Sequence, residues 1–302
     1  IIDGKHDDCK INKLLMDAIL KSKDYTKDYL KSVVFYQYLI DVYDFKTADY
    51  INSCFGYDSE FFKLNADAAI NMFKKDLFHG DTKYFILKNG LSSMISEMVE
   101  ARVVGKTHTV IEYLKDVTHL NSVQGVPLLR VYFKYPVKDC KPWFKNIKRT
   151  TTDNYIRHII PIDYKNGLIM ISYTDDLYAN MLLTIYNSGK DKLVKAIHKE
   201  IKVLFGIDPP DPEEVMFHYW ENGCHFWKVG EDMNIVYDKR LKHIEDKELY
   251  ICGESFSKKQ AWIEGSLESC YDVMSSMKLK NIKVKQKKEK KLKKYSIDEV
   301  LK

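Results

Sequence analysis

The sequence predicts a globular protein of α/β class combined with α+β, because helix-forming and strand-forming segments alternate along the chain. Residues 10–78 carry apolar side chains at the spacing of amphipathic helices, whereas several later segments are short, apolar and bounded by turn residues. No internal repeat is visible, which argues against a repeat protein. With 302 residues, of which 45% are hydrophobic, the chain is long enough for one large or two interleaved domains.

The first part of the chain is predicted to be helical. Apolar residues recur three and four positions apart over 10–20, and the segment 27–43 continues the pattern so densely that we expect it to be buried. Thr47 predicts the N-cap of a third helix, which stops at Gly56. Asn65 predicts the cap of a fourth helix.

Strand-forming segments follow, separated by turns and by further helices. The predicted strands are 84–87, 107–114, 116–120, 128–135, 156–161, 167–173, 214–220 and 249–252. The predicted helices among them are 91–101, a stretch that begins at Asp175-Asp176, 190–204 and 260–277. The proline-rich run 208–212 predicts a break in the chain.

One segment carries most of the positive charge. Residues 278–294 contain ten Lys and one Glu, so their local charge is +9, whereas the whole chain is +5 and the remainder is −4. A run of this kind is typical of a solvated linker, and we expect no specific nucleic-acid binding. Polyanion binding through the Lys run stays open as an alternative, and such binding would depend steeply on salt.

Targeting signals and metal-binding patterns are not visible in the sequence. No segment has the roughly 20 consecutive apolar residues of a membrane span, and the first residues lack a signal-peptide pattern, so we expect an intracellular protein. The cysteines have neither CxxC nor zinc-type spacing, and we expect reduced thiols and no metal site. They are Cys9, Cys54, Cys140, Cys224, Cys252 and Cys270.

The segment 248–277 is the most informative for function. A predicted strand is followed by the turn Gly253-Glu254 and then by a helix that opens near Trp262, with the small residues Gly265 and Ser266 in its first turns. The N–H groups at a helix N-terminus suit a pyrophosphate or an electron-rich flavin edge, and small residues let a ligand approach closely. The same pattern is also typical of a purely structural strand–turn–helix unit.

These residues resemble a known family. Gly253-Glu254 and the segment 262–269 (WIEGSLES) resemble the carboxy-terminal FAD signature of flavin-containing amine oxidases, which include monoamine oxidases, polyamine oxidases and lysine demethylases. Segments 84–91, 128–136 and 219–226 resemble other family segments in the same order. The resemblance implies an FAD-binding domain of the amine oxidase type, incomplete here, interleaved with a helix-plus-sheet substrate domain.

The resemblance also implies how these domains divide the chain. The segments are 1–80 for the helical part of the substrate domain, 81–135 for the FAD domain, 136–213 for the substrate-domain sheet and helices, 214–277 for the carboxy-terminal FAD segment and 278–302 for a Lys-rich tail. Residues 294–302 resemble the opening of a cytochrome b5-type haem domain that would continue beyond the chain end. The alternative for these residues is a terminal amphipathic turn.

Site residues are carried over from the same resemblance. The expected cofactor-binding residues are Gly253, Glu254, Trp220, Cys224, Ile263 and Glu264, and the expected catalytic residues are Arg130, Trp262 and His225. Trp262 and His225 would flank a small-molecule amine in front of the flavin, and Arg130 stands where the family has a lysine near flavin N5. Cys224 stands where monoamine oxidases bond covalently to the flavin, and Asn222-Gly223 predicts a tight turn before it. A buried free thiol is the alternative for Cys224.

The activity that the resemblance implies is FAD-dependent oxidation of an amine to an imine, by hydride transfer to the flavin. None of the 13 glycines forms the GxGxxG unit that holds the ADP half of FAD, and strands expected before Leu128 are missing. We expect these segments in a longer protein. The alternative is a catalytically inactive amine-oxidase-like scaffold, structural or virion-associated rather than cytoplasmic, because the richness in Lys, Ile, Asn and Tyr is typical of A+T-rich genomes such as those of large DNA viruses.

Overall fold

The computed structural model describes residues 8–78, 121–137, 141–239 and 250–276. The strands and the helix predicted between 84 and 120, the Lys run and the cytochrome b5-like end lie outside these ranges, as do the side chains of Cys9 and Cys140. Within the described ranges the chain forms a helical layer, an antiparallel sheet, and two helices that pack on one face of that sheet.

The helical layer is built from residues 8–78. Its helices are α1 (Asp8–Lys21), α2 (Lys27–Ser32), α3 (Phe35–Val42), α4 (Phe45–Phe55), α5 (Ser59–Phe62) and α6 (Ala66–Phe78). The single helix predicted over 27–43 is wrong, because Val33 and Val34 are extended between α2 and α3. Their backbone bonds to a neighbouring segment instead: the N–H of Ala66 donates to the carbonyl of Val33.

Capping residues set the ends of these helices. Asp44, and not Thr47, is the N-cap of α4, and its Oδ1 accepts from the N–H of Thr47 at 2.7 Å. Gly56 ends α4 with φ +90°, in the left-handed region, as predicted. The predicted cap of α6 is also confirmed, because Asn65 Oδ1 accepts from the N–H of Ala68 at 2.9 Å.

The described strands form one sheet. They are β1 (Val123–Lys134), β2 (Thr150–Thr151), β3 (His158–Asp163), β4 (Leu168–Asp175) and β5 (Glu214–Trp227), in the order β2-β3-β4-β1-β5. Every neighbouring pair is antiparallel. The mixed helix-and-sheet character is therefore confirmed, whereas the described part of the chain contains no parallel sheet of the α/β type.

A bulge interrupts the long ribbon of β1 and β5. Val126 pairs with Cys224 and Leu128 pairs with Trp220, so Pro127 alone stands opposite three residues of β5. Proline has no N–H to donate to the ladder, which explains why the pairing breaks there. Two predictions are thereby wrong: a strand does precede Leu128, and Asn222-Gly223 bulges within β5 instead of making a turn at its end.

The two ends of this ribbon contribute to different cores. Leu129, Val131 and Phe133 pack against α7 (Asp176–Ser188) and α8 (Lys190–Phe205), which match two predicted helices. Beyond the bulge, the buried side chains join the core of the helical layer and of α9 (Met233–Lys239). They are Val126, Cys224, Phe226 and Trp227.

A buried arginine ties the helical layer to the sheet. Arg157 lies just before β3, is 2% exposed and has φ +58°, which is strained for a residue with a side chain. Its guanidinium donates to the carbonyls of Asn52 at 3.1 Å and of Gly56 at 3.2 Å, both at the end of α4. It also donates to Asp58 Oδ1 at 3.1 Å and to the carbonyl of Thr152 at 3.0 Å. The cation thus adds donors to the last carbonyls of α4, of which that of Asn52 also accepts from the N–H of Gly56 at 3.1 Å.

A buried carboxylate makes a second link at the same place. Asp175, at the end of β4, accepts from the N–H groups of Asp58 and Ser59 at 3.2 Å each, and from Ser59 Oγ at 2.5 Å. Burial raises the pKa of Asp175 to about 6. Its three donors belong to the start of α5, so the α4–α5 connection is held from both β3 and β4.

Replacing Arg157 with Met should destabilise the protein strongly. Removing the cation leaves the buried Asp58 carboxylate without its counter-ion and takes one donor from the carbonyls of Asn52 and Gly56. Breaking a buried pair in this way costs about 3–5 kcal/mol. Urea unfolding followed by circular dichroism measures the loss. As the matched control, Lys202→Met breaks an exposed pair with Asp208 and should change the free energy of unfolding by less than about 1 kcal/mol. Equal effects of the two substitutions would contradict the importance of the Arg157 contacts.

Candidate functional site

Two residues from distant parts of the chain meet at the end of β5. The His225 Nδ1 lies 2.6 Å from Glu254 Oε1, and the Ser255 hydroxyl lies 3.1 Å from the same nitrogen. Because an ionised carboxylate only accepts hydrogen bonds, the proton of the neutral imidazole lies on Nδ1 and the lone pair lies on Nε2. The structure therefore brings together two of the residues predicted for the site.

The other oxygen of Glu254 holds the entrance to the last described helix, α10 (Ile263–Ser276). Glu254 Oε2 accepts from the N–H of Ala261 at 2.9 Å, and Ala261 has φ +64°. This left-handed residue explains why the helix begins at Ile263, next to the predicted opening near Trp262, and not at Gln260, where the longer predicted helix 260–277 starts. Trp262, the next residue, is 50% exposed. Residues 250–252 of the strand predicted at 249–252 pair with no strand among the described residues, and Leu249 lies outside them.

The loop between Gly253 and α10 is packed tightly onto that helix. The N–H of Gly253 donates to Ser269 Oγ at 2.9 Å, and the Ser269 hydroxyl lies 3.1 Å from the carbonyl of Gly253. A Cβ on Gly265 would lie 2.1 Å from the carbonyl oxygen of Lys259, so only glycine fits there. The small residues that sequence analysis associated with ligand approach thus bring the loop and helix together.

Trp227 anchors the same loop to β5. Its backbone N–H donates to Gln260 Oε1 at 2.9 Å, and its indole N–H donates to the carbonyl of Ser257 at 3.2 Å. Gln260 in turn donates to the carbonyl of Ser255 at 2.6 Å. The position of Glu254 relative to His225 is therefore fixed by a network of hydrogen bonds that does not involve either side chain.

Cys224 is next to His225 on β5 but faces the opposite side. Successive residues of a strand point to opposite faces, and the Cys224 thiol is buried in the core of the helical layer. Burial raises the pKa of this thiol, so the thiolate needed for a bond to flavin is disfavoured. Its surroundings correspond to the buried-thiol alternative.

Arg130 and Trp220 lie in a different part of the sheet. Arg130 pairs across the ladder with His218, whereas His225 pairs with Gly125, five residues along β1. At the usual rise of a strand, this separates Arg130 from His225 by about 17 Å. Trp220 lies on the Arg130 side of the bulge. The nine predicted site residues therefore divide between two locations.

Sequence analysis missed three residues that shape these locations. Ser255 contacts His225, and Ala261 adopts the positive φ that sets the direction in which the chain enters α10. Tyr173, on β4, stacks beneath Arg130 with 4.7 Å between the guanidinium carbon and the ring centroid. Ser255 could have been found from its position beside Glu254, whereas the other two depend on backbone conformation and strand register.

Two searches of the described residues gave negative results. No helix among them is sufficiently long and apolar to cross a membrane. They also contain no group of three or more His, Cys, Asp and Glu residues arranged to hold a metal ion.

Cys224 and Cys270 should react very differently with iodoacetamide. In the folded protein at mildly alkaline pH, we expect the exposed Cys270 to be alkylated, and we expect Cys224 to react only after unfolding, because its thiol is buried and its pKa is raised. Mass spectrometry of proteolytic peptides measures both sites in one sample. Alkylation of Cys224 as fast as that of Cys270 in the folded protein would contradict its placement in the core.

Comparisons with known proteins identify a fold but no family. The sequence matches no protein-family model and no curated protein. The structure is similar to the crystal structure of a protein described as "Putative protoporphyrinogen oxidase from Exiguobacterium sp. 255-15", with a TM-score of 0.54 and 12% sequence identity. The match covers 90% of this chain and 72% of that chain. The likeness therefore concerns the fold alone, which combines helices with an antiparallel sheet and resembles a flavin oxidase fold.

Proposed function

We propose that this protein is a flavin-dependent oxidoreductase that oxidises an amine to an imine. The fold supports this, because the similar structure is described as a protoporphyrinogen oxidase, which is a member of the flavin amine oxidase superfamily. The observation that carries the proposal is the double contact of Glu254. One oxygen binds His225 and the other binds the N–H of Ala261, so the substrate-side imidazole and the flavin-binding helix start form one unit.

The start of α10 fits the flavin edge of FAD in two respects. The N–H groups of Ile263 and Glu264 belong to the first helical turn, have no intrahelical acceptor and would donate to the pyrimidine ring. Gly253 has φ +132°, and no atom lies within 4 Å of the position of a Cβ there, so the cofactor has room to approach its backbone. We assign no described residue to the ADP half.

The role of Glu254 differs from the one that the family resemblance implies. The resemblance implies contact between Glu254 and the ribityl region of the cofactor, whereas in the structure each oxygen of Glu254 already accepts a hydrogen bond from the protein and about half of the acceptor capacity of the carboxylate is used. We therefore propose that Glu254 is a positioning residue. It orients the imidazole of His225 and holds the strained entrance to α10, on which the flavin edge would lie.

The remaining side chains supply what amine oxidation needs apart from the cofactor. Bound FAD would accept a hydride from the α-carbon of the amine, and water would hydrolyse the imine. Only a neutral amine can give up that hydride, and the Nε2 of His225 can take the proton from an ammonium substrate. Trp262, whose side chain is half exposed, would cover the apolar part of the amine.

The division into domains remains part of the proposal. We propose that 81–135 and 214–277 contribute to the FAD domain and that 1–80 and 136–213 contribute to the substrate domain. The β1 strand pairs with both β4 and β5, so chain segments assigned to the two domains share one sheet. Such sharing is consistent with interleaved domains rather than with two consecutive ones.

Replacing Gly265 with Ala should impair FAD uptake by the full chain. The new Cβ would clash with the carbonyl of Lys259 and push the 253–262 loop off α10, so we expect affinity for FAD to fall by about tenfold or more. Fluorescence titration of added FAD measures the affinity, and the exposed Cys270→Ala on the same helix should leave it unchanged. A folded, unmodified full chain that takes up no FAD would contradict the proposal and favour the inactive scaffold.

Replacing Glu254 with Gln should slow the chemistry while leaving flavin bound. Glutamine has one accepting oxygen for the two donors that Glu254 holds, His225 Nδ1 and the N–H of Ala261, and it carries no charge to stabilise a protonated imidazole. General-base contributions of this kind are worth about 10²-fold or more. Anaerobic stopped-flow measurement of flavin bleaching by an amine reports the rate. The control Glu268→Gln removes a largely exposed carboxylate of α10 and should not change it. If Glu254→Gln leaves the rate of flavin bleaching unchanged, the proposed role of the His225–Glu254 pair is contradicted.

A further inference from the structure

Within the described part of the chain, one half of a sheet face is not covered by the helical layer. Along β1 the residues Leu129, Val131 and Phe133 point into the core, and the alternate residues point to the opposite face. On that face the helical layer covers β4, where Tyr57 packs against Tyr173 with ring centroids 5.4 Å apart. The part formed by β1 and β5 remains at least partly exposed.

Arg130 lies at the border between the covered and the open part. Its guanidinium stacks on the ring of Tyr173, and its Nε is buried without a hydrogen-bond partner. Burial opposes the charge, whereas the side chains of Tyr173 and Tyr132 hydrogen-bond the guanidinium and raise its pKa; no ion pair among the described residues includes this cation. A half-buried charge without a counter-ion is costly unless a partner is supplied from outside. The arginine therefore has unused capacity to bind an anion.

The other cation of the same strand and face shows the contrast. Lys134 lies four residues along β1, and its Nζ is 2.8 Å from Glu214 Oε1 on β5. A cross-strand carboxylate thus neutralises Lys134. The residue opposite Arg130 in the same ladder is His218, which brings no negative charge.

Aromatic side chains surround the open side of Arg130. His218 is exposed, and its ring lies nearly parallel to that of Trp220, at 23° and with 6.0 Å between centroids. Trp220 is 44% exposed, which is unusual for the largest side chain. Tyr132 follows on the same face and contacts His218, with ring centroids 6.1 Å apart. A flat apolar group can therefore lie on this surface.

We propose that Arg130, His218 and Trp220 bind an organic carboxylate, with the carboxylate on Arg130 and a flat apolar group on Trp220. The planar guanidinium matches a carboxylate with two parallel hydrogen bonds. A phosphate carries more charge than one arginine neutralises, and aromatic neighbours favour a monoanion with an apolar body. As a statement about the oxidised substrate this inference rests on the proposed function, whereas the binding site itself does not require flavin.

Isothermal titration of the full chain with three probes tests the site. Phenylacetate carries both features, phenylacetamide lacks the charge, and inorganic phosphate lacks the apolar group. We expect phenylacetate to bind, and both other probes to bind at least about tenfold more weakly. Arg130→Gln should lower the affinity for phenylacetate by about tenfold or more, whereas the matched Lys134→Gln should change this affinity by less than about twofold.

Several outcomes would overturn the proposal. They are no detectable binding of phenylacetate, equal binding of phenylacetamide, tighter binding of phosphate, or an unchanged affinity in Arg130→Gln. If Arg130→Gln fails to fold, Trp220→Ala tests the site instead, because that exposed side chain can be removed without opening the core. This substitution must lower the affinity for phenylacetate and leave the affinity for phosphate unchanged. Failure of FAD uptake would overturn the proposed function and leave this site standing.

Discussion

The buried guanidinium of Arg157 is the constraint on which the arrangement of the molecule depends. It gathers the end of α4 and the carboxylate of Asp58, while Asp175 holds the start of α5 from the neighbouring strand. Between these anchors lies Tyr57, whose ring is thereby set against Tyr173 on β4. The same contacts set how much of the sheet face the helical layer covers, and they leave the β1–β5 part uncovered by that layer.

The bulge at Pro127 then divides the open ribbon into two chemically distinct ends. On one side lie His225 and Glu254, with the strained turn that starts α10; on the other lies Arg130, with its aromatic neighbours. Proline cannot donate to the ladder, so the pairing of β1 with β5 breaks at Pro127 and resumes in a shifted register. If both proposals hold, the distance of about 17 Å between Arg130 and His225 requires an extended substrate whose carboxylate is remote from the oxidised carbon.

Local signals in the sequence predicted much of the fold. Gly56 and Asn65 were correct as helix ends because their conformations depend on neighbouring residues alone. His225 and Glu254 were each predicted as site residues from separate short segments, but the contact between them was not predicted. The long strand β5 was cut short because Asn222-Gly223 has the composition of a turn, and only its partner Pro127 reveals a bulge. The surroundings of Arg130 follow from the register of three strands, which no short segment encodes.

A half-buried arginine without a counter-ion also bears on the choice between an enzyme and a catalytically inactive scaffold. An apolar side chain at this position would pack on Tyr173 without leaving a buried Nε unpartnered, so stacking alone does not explain an arginine there. The resemblance places a lysine of other amine oxidases at this position, and arginine exchanges a compact ammonium for a planar group that recognises carboxylates. On the proposed function, the departure from the family at Arg130 is therefore explained by a change of ligand.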